Sequence, residues 1–115
     1  ATSLTGRGAI AETNALSLGV IGTYSRPSAN QSVNDADFVL FVGTRVGSMV
    51  TNFWQLPRPG TPVAQIDIEA ASIGRNLPVE IGINADVRTT LREMLETSVP
   101  SPPDSRARWL AATRN

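Results

Sequence analysis

Apolar and polar positions along the chain sort into three short, near-continuous apolar runs and two stretches with helical spacing. The clearest run is Asp37-Phe38-Val39-Leu40-Phe41-Val42-Gly43, where five consecutive apolar residues, mostly β-branched or aromatic, are bounded by Asp and Gly. Such a run predicts a strand buried on both faces, as in a parallel sheet. Residues 62–68 predict a second strand, fed by a loop carrying Pro57, Pro59, Gly60 and Pro62, and residues 79–83 a third, shorter one. Residues 1–4 read as a short extended piece running into Thr5-Gly6-Arg7-Gly8, a turn rich in permissive glycine.

The best helical spacing lies at residues 86–98, where Val87, Leu91, Met94 and Leu95 share one face and Arg88, Arg92, Glu93 and Glu96 lie elsewhere. Asn84 or Asp86 is placed to cap it. Tyr24-Ser25-Arg26-Pro27 stops whatever precedes it, because the residue before proline is pushed out of the helical region. Ser28 with Gln31 then fits a capping box and predicts a short helix to Asn34. Residues 70–75 predict a helical turn, and residues 9–22 show neither period and are expected to be loop. Pro100-Ser101-Pro102-Pro103 predicts a stiff linker, and residues 105–113 a short helix anchored by Trp109 and Leu110. No internal repeat is present.

Apolar strands separated by helical stretches predict an α/β fold with a parallel sheet. Three or four strands are too few for a complete doubly wound domain. The chain opens on ATSL without an initiating Met, which reads as the tail of a strand. A fragment is therefore expected, with part of the sheet upstream of residue 1.

Composition narrows the function more than it names it. The 115 residues suit one small domain, with an ordinary 41% hydrophobic and 17% charged content. No run approaches the ~18 apolar residues of a membrane span, and no basic-then-apolar leader opens the chain. Ten basic residues balance ten acidic ones with signs interspersed, without the basic stripe of a nucleic-acid binder. All ten basic residues are Arg, which removes a Schiff-base or P-loop lysine from this segment. Absence of Cys removes disulfides, thiolate nucleophiles and Cys-ligated metal, and absence of His removes the commonest general base and metal ligand. A cytoplasmic origin is expected. No pair of side chains looks like a nucleophile with its base, so no catalytic residue is assigned.

Open α/β sheets bind ligands outside the carboxyl ends of their strands. The residues at those ends are Thr5-Gly6-Arg7-Gly8, Gly43-Thr44-Arg45 and Asp67-Ile68-Glu69. Gly43 lets a ligand approach the backbone, Arg45 can fork onto a phosphate or stack on an adenine, and Asp67 can accept bonds from ribose hydroxyls. Together they suggest a nucleotide-sized anion over the sheet. The competing readings are that Arg45 pairs with a neighbouring carboxylate, that Asp67 and Asp86 cap helices, and that Trp54 and Trp109 are packing anchors. Gly6-Arg7-Gly8 lacks the third glycine of a Rossmann fingerprint.

The order of segments carries a more specific signal. Gly6–Ile10, Leu16-Ser17-Leu18-Gly19-Val20-Ile21-Gly22-Thr23-Tyr24 and Asn34–Arg45 resemble the central domain of acetolactate synthase-like thiamine-diphosphate enzymes. The resemblance continues through Gly60–Glu69, Ile73-Gly74-Arg75-Asn76 and Asn84-Ala85-Asp86, covering residues 1–97 in one consistent order.

That resemblance implies a Rossmann-like, three-layer α/β domain with a parallel sheet, incomplete here because the first β-α-β unit is missing. Residues 1–98 would be the C-terminal part of the central domain, and 99–115 a linker and short helix toward a C-terminal domain. The parent would be a 2-keto acid decarboxylase or carboligase, homodimeric or homotetrameric. Its other domains would hold thiamine diphosphate and Mg²⁺, through a catalytic Glu and a Gly-Asp-Gly…Asn motif that do not occur in this chain. This segment would be inactive by itself, partnered by the remaining domains of its own chain, and engaged with neither nucleic acid nor membrane.

In the family the domain binds FAD or ADP, or is an empty scaffold for assembly. Carried over, the cofactor-binding positions are Ser3, Leu4, Thr23, Tyr24, Gly43, Arg45, Asp67, Ile68 and Asp86. Arg45 matches an arginine at the pyrophosphate, Asp67 and Ile68 the residues that hold the adenosine, and Asp86 a later adenosine contact. Thr23, Tyr24 and Ser25 fall at a Met-His-Gly stretch on the flavin side. Tyr24 replaces a His, Ser25 a Gly, and Met49 stands where FAD-binding synthases often place a second Arg. The last change removes a charge-assisted contact of about 1.5–3 kcal/mol, which disfavours flavin more than adenosine. A vacant structural domain is one alternative. A NAD-binding domain of sirtuin or transhydrogenase type is another, which Asn34–Arg45 and Pro62–Asn76 fit less well.

Overall fold

The computed structural model describes residues 1–98 and 103–113. They form two compact units: residues 1–36, 48–59 and 103–113, and residues 37–47 and 60–98.

The second unit is built on β1 (Val39–Val42), β2 (Val63–Asp67) and β3 (Ile81–Asn84), an all-parallel sheet in the order β1-β2-β3. Val42 lies opposite Ile66, and Asp67 opposite Asn84. The expected α/β class with a parallel sheet is thus present, as in a partial Rossmann-like domain. All five residues of β2 are buried, the polar Gln65 and Asp67 among them, and its remaining residues are apolar. β1 departs from the expectation of burial on both faces. Among the described strands it lies at the edge of the sheet, Phe41 is its one buried residue, and Phe38 and Val42 are exposed. Phe41, Val46 and Val63 form the core, with Val39, Leu77 and Val79 packed against it.

A 3₁₀ turn at Ala70–Ser72 follows β2, and α2 (Val87–Thr97) follows β3. The apolar face predicted for α2 forms but is not covered: Leu91, Met94 and Leu95 are exposed, the last at 76%, and Thr90 is its only buried residue. Helical spacing reports which residues share a face; a second surface is needed to bury them.

In the first unit, α1 (Pro27–Asn34) packs against α3 (Pro103–Thr113). The capping box at Ser28 is not made. Pro27 occupies the first helical turn, Arg26 becomes the N-cap without a side-chain bond, and Gln31 donates to Asp35 Oδ1 at 2.8 Å. Proline's fixed φ suits the first helical position and so moves the N-cap from Ser28 to Arg26, two residues earlier. Residues 1–4 contribute one isolated parallel bridge, Thr2 to Val20. The linker expected at Pro100-Ser101-Pro102-Pro103 lies, up to Pro102, outside the described residues.

Gly22 shows why this unit needs glycine at one position. Its φ is +100°, its N–H donates to Asn30 Oδ1 at 2.8 Å, and its carbonyl accepts from Asn30 Nδ2 at 3.0 Å. A Cβ there would collide with the Met49 carbonyl. We expect Gly22→Ala to destabilise the fold by about 1–3 kcal/mol, the scale of a strained non-glycine backbone. Urea unfolding checks this, as a lowered midpoint at unchanged slope.

Candidate functional site

Because the three strands are parallel, the loops at their carboxyl ends share one edge of the sheet. Strand order there runs without reversal, so among the described strands there is no topological switch point. Whatever this edge binds must be recognised by the loops themselves.

The loop after β1 is held in a specific shape. Gly43 takes φ +62° while its N–H donates to Ile66 O at 2.8 Å. Val46 also has positive φ, +53°, which is uncommon for a β-branched residue, yet it is 1% exposed. Burying Val46 in the core with Phe41 and Val63 sustains a backbone strain of about 1–3 kcal/mol. The residue just before it, Arg45, is exposed.

Gln65, 1% exposed in the centre of β2, fastens that loop to the next one. Its Nε2 donates to Thr44 O and to Ser72 O, both at 3.1 Å, and its Oε1 accepts from Gly74 N–H at 3.0 Å. Asn76 Nδ2 adds a bond to Arg45 O at 2.8 Å. Between these loops lies a cavity of about 310 Å³ lined by Arg45, Glu69, Ser72, Arg75 and Asn76, at the small end of the roughly 300–1,000 Å³ of small-molecule sites. Glu69 Oε2 accepts from Ser72 Oγ at 3.1 Å. Neither the Arg45 nor the Arg75 guanidinium has an ion-pair or hydrogen-bond partner among the described residues. The competing expectation for Arg45, a neighbouring carboxylate, is not met among the described residues.

Of the nine residues carried over from the sequence, Gly43, Arg45, Asp67, Ile68 and Asp86 fall at this edge, and Arg45 alone of them lines the cavity. Asp67 is 8% exposed, and its Oδ1 accepts from Glu69 N–H at 2.8 Å. Its backbone carbonyl accepts from Asn84 Nδ2 at 3.0 Å and Ala85 N–H at 3.2 Å, while Ile68 O accepts from Asn84 Nδ2 at 2.9 Å. The Ile68 side chain is 72% exposed. Asp86 is the N-cap of α2, accepting from Thr89 N–H at 2.9 Å and Thr89 Oγ1 at 3.0 Å. Those bonds hold its carboxyl below the usual carboxylate range.

The other four residues belong to the first unit. Ser3 Oγ accepts from Gly6 N–H at 3.0 Å, which shapes the glycine turn, and Leu4 is exposed. Thr23 N–H donates to Met49 O at 2.9 Å. Tyr24, 68% exposed, lines a second cavity of about 290 Å³ with Ser25, Arg26, Arg7 and Glu12. Arg7 Nε and Glu12 Oε1 pair there at 2.6 Å. The bond and charge of Arg7 lower the Glu12 pKa and those of Glu12 raise that of Arg7, but both side chains are more than half exposed and solvent screens the pair.

Among the described residues no group of three or more His, Cys, Asp or Glu is placed to hold a metal ion, and no helix is long and apolar enough to cross a membrane. Sequence reasoning singled out neither Arg75 nor Gln65. Arg75 stands outside every strand end. Gln65 is a polar residue in the middle of a strand whose other polar residue, Asp67, closes its end, and that interruption is the one signal that pointed to it.

Comparison with known proteins then places the chain. Residues 1–94 match the family described as thiamine pyrophosphate enzyme, central domain. Over 109 residues the chain is 30% identical to a probable acetolactate synthase large subunit of Methanocaldococcus jannaschii, covering 95% of this chain and 18% of that one. It is 33% identical over 110 residues to the acetolactate synthase large subunit of Parasynechococcus marenigrum, covering 95% and 18%. For the acetolactate synthase isozyme 3 large subunit of Escherichia coli the identity is 35% over 94 residues, covering 82% of this chain and 16% of that one. The chain therefore spans less than a fifth of the length of these relatives.

The Asp86 cap generates a pH dependence. A carboxyl depressed in the folded state contributes stability that is complete above its unfolded value, about pH 4, and is lost as pH falls through its folded one. We expect protection of the α2 amides to decline on acidification below about pH 4. Asp86→Asn, which caps without titrating, should flatten that decline. Hydrogen exchange as a function of pH reads it directly.

Proposed function

We propose a function from one premise: this chain belongs to the thiamine pyrophosphate enzyme central-domain family. Within a longer parent it acts as a central scaffold that carries no catalytic residue. The parent is a cytoplasmic thiamine-diphosphate-dependent 2-keto acid decarboxylase or carboligase of the acetolactate synthase type, working as a dimer or tetramer. Residues 1–98 are its central domain and 99–115 lead toward the next domain. Thiamine diphosphate supplies the carbanion-stabilising chemistry when bound by the parent's other domains. Among the described residues no cluster of carboxylates is placed to hold a Mg²⁺.

The domain's own activity is to bind the phosphate-bearing end of a nucleotide, ADP or the adenosine diphosphate portion of FAD. The observation that carries this reading is the exposed guanidinium of Arg45, without a partner among the described residues, on a cavity at the carboxyl edge of a parallel sheet. Arg45 would fork onto the phosphates while Gly43 admits the ligand to the backbone. Ile68, exposed beyond β2, would lie along the adenosine, with Asp67 and Asp86 shaping the turns on either side. Ser3, Leu4, Thr23 and Tyr24 are assigned to the same cofactor by the family pattern alone.

One observation favours a second reading, a structural domain with a vacant crevice. The Asp67 carboxylate, proposed for ribose, is buried and engaged with Glu69 N–H.

Equilibrium dialysis of the full-length protein with ADP separates the two. We expect saturable binding that Arg45→Ala weakens about tenfold or more, the scale of one lost hydrogen bond to a charged group. Binding indifferent to that change removes Arg45 from the site, and no binding by ADP or FAD leaves the structural reading.

A further inference from the structure

We propose that Arg75 is a second phosphate ligand, forming with Arg45 a two-arginine pocket for a diphosphate group, and that Gln65 positions both. This rests on, and deepens, the nucleotide reading above.

A polar side chain in a core strand costs stability unless each of its groups is paired. Gln65 uses both protons and its oxygen, and all three bonds go to loop backbone. Its partners are telling: Thr44 O lies one residue before Arg45, and Gly74 N–H one residue before Arg75. Gly74 takes φ +69°, a left-handed conformation that turns the chain at the residue before Arg75. Asn76 Nδ2, one residue beyond Arg75, closes onto the Arg45 carbonyl. The loops bearing the two arginines are therefore tied at four backbone groups, three of them from inside the sheet.

The second step is electrostatic. Arg45 and Arg75 line one cavity with a single carboxylate, Glu69, whose Oε2 is engaged by Ser72. Two guanidinium groups held on one cavity repel each other, and neither has a compensating partner among the described residues. A polyanion relieves that repulsion. Each planar fork matches one phosphate group bidentately, so two forks on separate, stitched loops fit a diphosphate better than a single phosphate. Ser72 and Asn76 add polar groups at the rim.

The test uses the full-length protein with four probes at low salt: inorganic diphosphate, ADP, AMP and adenosine. Diphosphate and ADP should bind well ahead of AMP and adenosine. Arg75→Gln should weaken diphosphate and ADP about tenfold or more, on the scale of hydrogen bonds to charged groups, and leave adenosine unchanged. Thermal stability should not fall, because the exposed Arg75 side chain has no partner to lose among the described residues and its charge opposes that of Arg45. Asn76→Ala, a surface cut of one stitch, should narrow the preference for ADP over AMP; Gln65→Met should narrow it further at a temperature where the variant remains folded. A structural role for Gln65 alone would lower the melting temperature without moving that preference.

If ADP binds and depends on Arg45 but not on Arg75, the two-arginine pocket is overturned and the nucleotide reading stands. If diphosphate binds in an Arg75-dependent way and adenosine adds nothing, the pocket stands and the nucleotide reading fails. If neither diphosphate nor ADP binds, both are overturned.

Discussion

The Gln65 amide is the interaction on which the second unit's candidate site depends. Parallel sheets place all their carboxyl-end loops on one edge, but adjacency alone leaves each loop free to choose its own conformation. A side chain reaching out of the central strand removes that freedom. Gln65 sits at 1% exposure and bonds three backbone groups on two loops, so the strand-end loops are referenced to the sheet as well as to each other through Asn76. Low polarity around the amide makes these bonds stronger than they would be in water and makes the loss of any one costly. The position of Arg45 is then a consequence of packing deep in the unit.

Backbone strain is concentrated in the same way. Val46 accepts a left-handed backbone because its side chain completes the core with Phe41 and Val63, and this turns the adjacent Arg45 outward. In the first unit Asn52, Phe53 and Trp54 are left-handed in succession, at φ 49°, 54° and 69°. Buried Thr51 holds that turn, its Oγ1 accepting from Trp54 N–H at 3.0 Å and donating to Ser48 O at 3.3 Å. Such conformations persist only where the surroundings over-determine them. In both cases a small buried residue supplies the determination and a larger neighbour is left exposed.

What the sequence revealed and what it hid follow from the same physics. β2 was legible because every residue in it is buried, so composition and structure coincide. β1 was legible as a strand; among the described strands it lies at the edge, so its apolar run is only partly covered. α2 was legible as a helix through spacing and its Asp86 cap, both local properties; whether its apolar face is covered is a property of the surroundings. The capping box at Ser28 failed because two local signals competed and the proline, one residue earlier, set the backbone first. Arg45 was legible from its place after a strand. Arg75 was not, since it reaches the cavity through a turn whose closure depends on Gln65, ten residues back in the chain.

The distribution of charge at the edge bears on which part of a nucleotide it would recognise. A site that selects the ribose presents a free carboxylate to the hydroxyls, and here the acidic residues are engaged in the chain's own architecture. Asp67 closes a turn onto Glu69 N–H, Glu69 accepts from Ser72, and Asp86 caps α2. The arginines are the opposite case, with guanidinium groups that have no protein partner among the described residues. Removing a carboxylate would therefore act first on the fold, and removing an arginine first on the ligand. Discrimination at this edge would accordingly reside in the phosphates, with the adenosine tolerated along the exposed Ile68 rather than read.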